Sequence, residues 1–285
     1  MKPARFSYHA PRSVDDAVAL LAELAAEDGR ILAGGQSLVP TMAFRVAQPG
    51  HLIDINAIDS LATIEVDQGR ARIGACVRHA AFESKTPITG PTGALLGKVV
   101  HNIAHYPIRV RGTFCGSVAH ADPSSEWCCT VAALDGEMIA RSRRGERRIA
   151  APDYFQGVMS TALEADEMLT AVDLPLMPAD TRCGFQEFSR RPGDFAIAMA
   201  LAAYRLENGR IADPRIAIGG AEVFPRRIKE AEAALVGQPA NSAAFARAAE
   251  AASEAIEPME DNFNTAAYRR ALVMTLAQRA LEKAR

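Results

Sequence analysis

Cysteine is scarce in these 285 residues, and the five present, Cys76, Cys115, Cys128, Cys129 and Cys183, form no paired C-x-x-C ligand set. Such spacing offers no zinc or iron–sulfur ligands, and thiols in a reducing compartment stay unpaired, so no metal, cluster or disulfide is expected. An excess of either charge is missing too: 32 Lys and Arg stand against 34 Asp and Glu. Without a basic field there is no electrostatic footprint for nucleic acid or for an anionic membrane. No segment reaches the ~18 uninterrupted apolar residues of a membrane span. The start, Met1 to Tyr8, puts no apolar stretch behind Lys2 and Arg5, so no secretory signal is expected and the cytoplasm is the default compartment.

With 49% hydrophobic residues, the chain has enough apolar mass for about two domains. Val14, Ala17, Val18, Leu21, Leu24 and Ala25 recur at helical spacing between a Ser13 cap and a Gly29 stop. A strand over 30–33, a helical stretch near 39–45 and a strand over 51–55 complete a compact βαβ-type unit. From Ala62 short strands and helices alternate, then Glu137–Ser142 and Arg147–Ala151 read as a hairpin and Met168–Leu174 as a closing strand. Pro175 to Thr181 breaks the pattern and serves as a linker. Beyond it, strands at 184–189, 197–206 and 211–218 precede three alanine-rich helices near 226–236, 241–256 and 265–283. The fold class expected is α+β. A two-lobed domain, 1–176 with lobes of about 1–57 and 58–176, is followed by a C-terminal α+β domain, 177–285, with a three-stranded antiparallel sheet and helices.

Two glycine-bearing turns carry the chemistry. Ala33-Gly34-Gly35-Gln36-Ser37 follows a strand and precedes a helical stretch, where freed N–H groups favour an anion. Thr113-Phe114-Cys115-Gly116-Ser117 sets two hydroxyls around a glycine ahead of another helix. Glycine is needed at such turns because a Cβ blocks positive φ angles and the close approach of a ligand. Either turn alone is equally a simple tight turn. The pair reads as a grip on a dinucleotide's pyrophosphate, and the dinucleotide expected is flavin adenine dinucleotide (FAD).

Other groups admit plainer readings. His120 and Asp122 suggest a dyad, but Asp-Pro before a helix is the commoner cap, and His120 equally lines a flavin pocket. Ser189-Arg190-Arg191-Pro192-Gly193-Asp194-Phe195 is a tight turn with two guanidinium groups, either toward an anionic flavin or solvated with Asp194 paired to an arginine. Cys128 and Cys129 beside Trp127 read as a packed helix face. Arg141, Arg143, Arg144, Arg147 and Arg148 make a basic hairpin, solvated or facing an acidic partner.

Taken together, these motifs resemble the FAD-binding medium subunit of molybdenum-containing hydroxylases, the xanthine dehydrogenase and aerobic carbon monoxide dehydrogenase family. Members carry A-G-G-x-S-L-x-P, matched by Ala33 to Pro40, with Arg45 and Leu52-Ile53-Asp54-Ile55 following in order. They carry R-N-x-G-T-x-G-G-S-x-A-H-A-D-P, which Arg109 to Pro123 resembles, and S-R-R-x-G-D-F, like Ser189 to Phe195. The likeness runs nearly end to end. It implies that Ala33, Gly34, Gly35, Gln36, Ser37 and Leu38 wrap the pyrophosphate with Thr113, Cys115, Gly116 and Ser117. Ile103, His120 and Asp122 would stand nearby, Glu126 would accept from the adenosine ribose, and Leu169 would meet the isoalloxazine through its backbone. Gln186, Glu187 and Phe195 would lie along the flavin ring. Two positions depart from the motif: Val110 replaces an asparagine and Cys115 a glycine. If Cys115 takes a positive φ, its Cβ costs on the order of 1 kcal/mol and its thiol lies close to the cofactor.

The resemblance further implies a task and partners. This chain would be one subunit of a heterotrimer, arranged as a dimer of heterotrimers, with a 2Fe-2S small subunit and a molybdopterin-containing large subunit. No catalytic residue of its own is implied; FAD would take electrons from the clusters and pass them to an external acceptor. Two alternatives remain at this point: a stand-alone NAD(P)H-dependent flavin reductase, and a flavin-free scaffold subunit.

Overall fold

The computed structural model describes residues 2–84 and 86–285, so Met1, the first residue of the expected N-terminal domain, lies outside it. Chain order begins with strand β1 (Ser7–His9), helix α1 (Val14–Leu24), β2 (Gly29–Leu32), α2 (Leu38–Ala43) and β3 (His51–Asp54). Ser13 caps α1, its Oγ accepting from the Asp16 N–H at 3.1 Å, with Asp15 and Asp16 in the first turn where the helix end favours negative charge. Ala17, Val18 and Leu21 bury the inner face of α1. The three strands form a parallel sheet in the order β1-β3-β2. Sequence patterning misses β1 because the three-residue strand is largely exposed and carries no alternation.

The second lobe contains β4 (Ile64–Asp67), β5 (Arg70–Gly74), α3 (Gly90–Val100), α4 (Tyr106–Arg109), α5 (Phe114–His120), α6 (Glu126–Ala133), β6 (Glu137–Ser142), β7 (Gly145–Ala150), α7 (Ala151–Tyr154), β8 (Phe155–Gly157), β9 (Ser160–Thr161) and β10 (Met168–Pro175). Five of its strands make an antiparallel sheet in the order β4-β5-β10-β6-β7, with the late strand β10 at its centre. Between β5 and α3, His79–Glu83 form a 3-10 turn. The β6–β7 hairpin is tighter than expected, Ser142 pairing with Gly145 across Arg143-Arg144.

Third come β11 (Arg182–Phe188), β12 (Ala198–Glu207), β13 (Arg210–Gly219), β14 (Arg226–Arg227), α8 (Lys229–Ala233), α9 (Ser242–Ala255) and α10 (Ala266–Ala284). The sheet has four strands, not three: Arg226 and Arg227 pair with Ile218 and Ala217 at its edge. Two arginines show no apolar alternation, so this strand is formed by tertiary pairing rather than by pattern, and it shortens the expected helix over 226–236 to α8. Asn208 and Gly209 turn β12 into β13 with φ of 51° and 75°, the left-handed pair a two-residue hairpin needs.

All eight residues of α6 are buried. It is covered on both sides, since the second lobe's apolar cluster includes Trp127, Cys128 and Cys129 and runs on into Met199, Leu201 and Ala217 of the C-terminal sheet. A helix apolar all round belongs between two layers. The site cleft opens where these layers and the small parallel lobe meet.

Candidate functional site

A cleft of about 1230 Å³ runs between the two lobes and the C-terminal sheet, above the 300–1,000 Å³ usual for small-molecule pockets. Ala33 to Leu38 form one wall, and Thr113, Cys115, Gly116, Ser117, His120, Asp122 and Glu126 another. Ile103, Leu169 and Phe195 also line it. Gln186 and Glu187 do not. Gln186 turns its Nε2 onto the Phe185 carbonyl at 2.6 Å, and Glu187 seals its Oε2 from solvent with no hydrogen-bond partner.

The two turns touch. A methyl group on Gly34 would fall on the Arg111 carbonyl oxygen and on Gly112 Cα. Asn56 ties the first turn down, donating to the Ala33 carbonyl at 2.7 Å, while Arg78 bridges Asn56 Oδ1 at 2.6 Å to the Arg111 carbonyl. Gly35 has φ of 69°, a left-handed conformation suited to glycine. Beyond it, among the described residues, the N–H groups of Gly35, Gln36, Ser37 and Leu38 find no acceptor within the chain. Four consecutive free donors lining a cleft are a nest for an anion.

The second turn is poorer in donors than its sequence promises. Thr113 caps α5: its Oγ1 accepts from Gly116 N–H at 3.0 Å and its carbonyl from Ser117 N–H at 3.1 Å. Both N–H groups are therefore spent inside the turn, which leaves the Cys115 N–H and the two hydroxyls. Cys115 itself departs from expectation. It sits in the first turn of α5 without positive φ, and its Sγ is buried against the Ile73 carbonyl at 3.3 Å. The thiol points into the core, where burial pushes its pKa up, and the strain expected from a Cβ at this position does not arise.

The dyad suggested by His120 and Asp122 is not formed. Asp122 Oδ1 accepts the Ser124 N–H at 2.9 Å, a turn that leads to the Ser125 cap of α6. Arg190 lies over the Phe263 ring at 4.4 Å from its centre, and Asp194 pairs with no arginine among the described residues. Phe195, 78% exposed, stands in the cleft mouth rather than in the core. The basic hairpin is matched within the chain: Arg141 pairs with Asp15, Arg143 with Glu23, Arg144 with Asp166, Arg147 with Glu167 and Arg148 with Asp173. It presents no free cationic face to a partner.

Glu126 and Glu187 are neighbours across the domain boundary. Burial pushes both carboxyl groups above the usual range, and the charge of Glu126 raises Glu187 further. In this dry site each acid takes up a proton more readily than it would in water.

Sequence reasoning also missed His79 and a C-terminal segment at 261–264. Arg269, 6% exposed, fastens that segment at the cleft, donating to Asp261 at 2.5 Å and to the carbonyls of Ile197 and Gly220 at 2.6 Å each. Isolated polar residues without a glycine beside them carry no pattern that would single them out.

Residues 4–177 match the model of the FAD binding domain in molybdopterin dehydrogenase, and residues 184–284 that of the CO dehydrogenase flavoprotein C-terminal domain. The chain belongs to this flavoprotein family. Among similar proteins, the nicotine 6-hydroxylase medium subunit of Paenarthrobacter nicotinovorans is 37% identical, over 100% of this chain and 99% of that one. Quinoline 2-oxidoreductase from Pseudomonas putida 86 superposes with a TM-score of 0.92 at 38% identity, covering 100% of this chain and 98% of that one. Carbon monoxide dehydrogenase from Hydrogenophaga pseudoflava does so at 0.94 and 36%, with the same coverage.

FAD, the cofactor of this flavoprotein family, fits the cleft. The nest at Gly35–Leu38 suits a pyrophosphate, Gly34 keeps the floor between the turns clear of a side chain, and the aromatic and apolar residues Phe195, Leu169 and Ile103 suit a flat ring. No metal-binding group of three or more His, Cys, Asp or Glu is found among the described residues, and no described helix is long and apolar enough to cross a membrane.

Proposed function

We propose that this chain is the FAD-holding subunit of a molybdenum-dependent dehydrogenase or hydroxylase. In that assembly it works with a 2Fe-2S small subunit and a molybdopterin-containing large subunit, as a dimer of heterotrimers in the cytoplasm. Residues 1–176 form the FAD-binding domain and 177–285 the C-terminal domain. The observation that carries the reading is the run of four free N–H groups at Gly35–Leu38, directly after Gly34, where the first turn lies against the Arg111–Gly112 peptide. Full-length relatives that are medium subunits favour it over a stand-alone reductase.

Bound FAD supplies a carrier that accepts electrons from the small subunit and releases them to an external acceptor. The protein's residues bind and orient. The Gly35–Leu38 amides would hold the pyrophosphate, with the Cys115 N–H and the Ser117 hydroxyl beside them. His120 and Asp122 flank the second turn, and Glu126 would accept from a cofactor hydroxyl. Phe195 and Leu169 would offer the flavin ring an aromatic and an apolar surface. Co-expression with its genomic neighbours, followed by the visible spectrum and mass analysis of the purified complex, tests the reading. Flavin bands with iron–sulfur and molybdenum subunits attached support it; a colourless chain purified alone contradicts it.

A further inference from the structure

We propose that His79 is a cofactor-binding residue whose Nε2–H donates to a pyrophosphate oxygen at the seam between the two turns. The inference rests on the FAD reading of the cleft.

His79 is only 4% exposed, yet it lines the cleft. Its backbone N–H is anchored to the Gly112 carbonyl at 3.0 Å, and its ring Nδ1 lies 2.9 Å from the indole Nε1 of Trp127. An indole N–H donates and never accepts, so Nδ1 must be the bare acceptor and the neutral imidazole must carry its proton on Nε2. That nitrogen abuts Gly112: a methyl group there would stand 2.5 Å from Nε2. Gly112 in turn packs on Gly34 of the first turn. Among the described residues Nε2 has no hydrogen-bond partner.

His79 thus brings to the cleft lining a donor with no protein acceptor, and the second turn has spent two of its own amides internally. A donor below its glycine restores what the turn lacks. The ring is also held still. Trp127 stacks against Phe114 and Phe82 with ring centres at 4.7 and 5.1 Å, which fixes the indole that fixes the imidazole. A second proton on Nδ1 would confront the Trp127 N–H, so the histidine remains a neutral donor; burial and the nearby Arg109 and Arg78 guanidinium groups push it down to about 4.

The test uses the full chain stripped of flavin, with ADP and FAD as probes and quenching of Trp127, the one tryptophan, as readout. His79→Asn leaves an amide oxygen near the Nδ1 position for Trp127 and removes the cleft-facing donor. His79→Gln places an amide N–H near the Nε2 position. The expected result is that His79→Asn weakens ADP and FAD about tenfold each, the effect of one hydrogen bond to a charged group, while His79→Gln recovers most of the loss. Wild-type affinity in His79→Asn, or a Gln variant as weak as the Asn one, overturns the proposal. Should either variant fail to fold, long-range ¹H–¹⁵N spectra of the wild-type imidazole decide. A protonated Nε2 whose shift moves on adding ADP supports the assignment, and a shift that stays put overturns it. A wild-type chain that binds neither ADP nor FAD instead sinks the underlying FAD reading.

Discussion

Gly34 lies against the peptide joining Arg111 to Gly112, so closely that a methyl group on its Cα would occupy the place of the Arg111 carbonyl oxygen. The neighbour is backbone and cannot turn aside. Gly34→Ala must therefore part the two turns, and FAD affinity is expected to fall at least tenfold, about 1.4 kcal/mol, in a fluorescence titration. Gly69, where a Cβ meets nothing within 4 Å, is the control: Gly69→Ala strains only a surface turn with φ of 73° and should leave FAD affinity unchanged.

His79 makes the fold acid-labile. Its pKa in the folded chain is lowered to about 4 from 6.5, so between those values the unfolded state binds the proton and the folded state refuses it. Stability is complete above pH 6.5 and falls as pH drops toward 4, by up to about 3 kcal/mol from this group. Urea titrations at pH 7 and pH 5 should show this loss, and it should shrink in His79→Gln.

Glu187 acts in the opposite direction. Burial and the Glu126 charge raise its pKa, so its contribution is present below about pH 4.5, its unfolded value, and is lost as pH rises through the folded one. Its Oε2 has no partner to lose. Glu187→Gln should therefore melt at a higher temperature than wild type at pH 8.5, by about 1 kcal/mol in stability, and at nearly the same temperature at pH 4.5.

Thr113 holds the second turn with one hydroxyl. Thr113→Val keeps the shape, leaves the Gly116 N–H without its acceptor at 3.0 Å and removes the N-cap of α5. A cost of about 1 kcal/mol in chemical unfolding is expected, with FAD weakened because the freed turn no longer holds Cys115 and Ser117 in place.

Both turns were legible in the sequence because glycine and small hydroxyl residues at turn spacing have one shared cause, close backbone approach. The α+β order and the α1 helix followed from periodicity and a serine cap. Other features follow from contacts between distant segments and leave no local trace. The two-residue strand at Arg226–Arg227 exists only through pairing with Ile218 and Ala217. Thr113 was expected to serve the ligand, and the structure adds a second task its sequence does not show, since its Oγ1 also caps its own helix. The basic hairpin looked free because its acids lie far along the chain, Arg141 with Asp15 and Arg143 with Glu23. His79 became visible only once Trp127 fixed its tautomer, a relation 48 residues apart in sequence.

The central claim is that this cleft holds FAD through the Gly35–Leu38 amides and the seam at Gly34. The most direct measurement is the flavin content of the complex purified after co-expression, read as absorbance and as FAD released on denaturation, for wild type beside Gly34→Ala. The account predicts close to one FAD per chain in the wild type and a clear deficit in the variant. A wild-type complex that assembles with its partner subunits yet releases no flavin would contradict it.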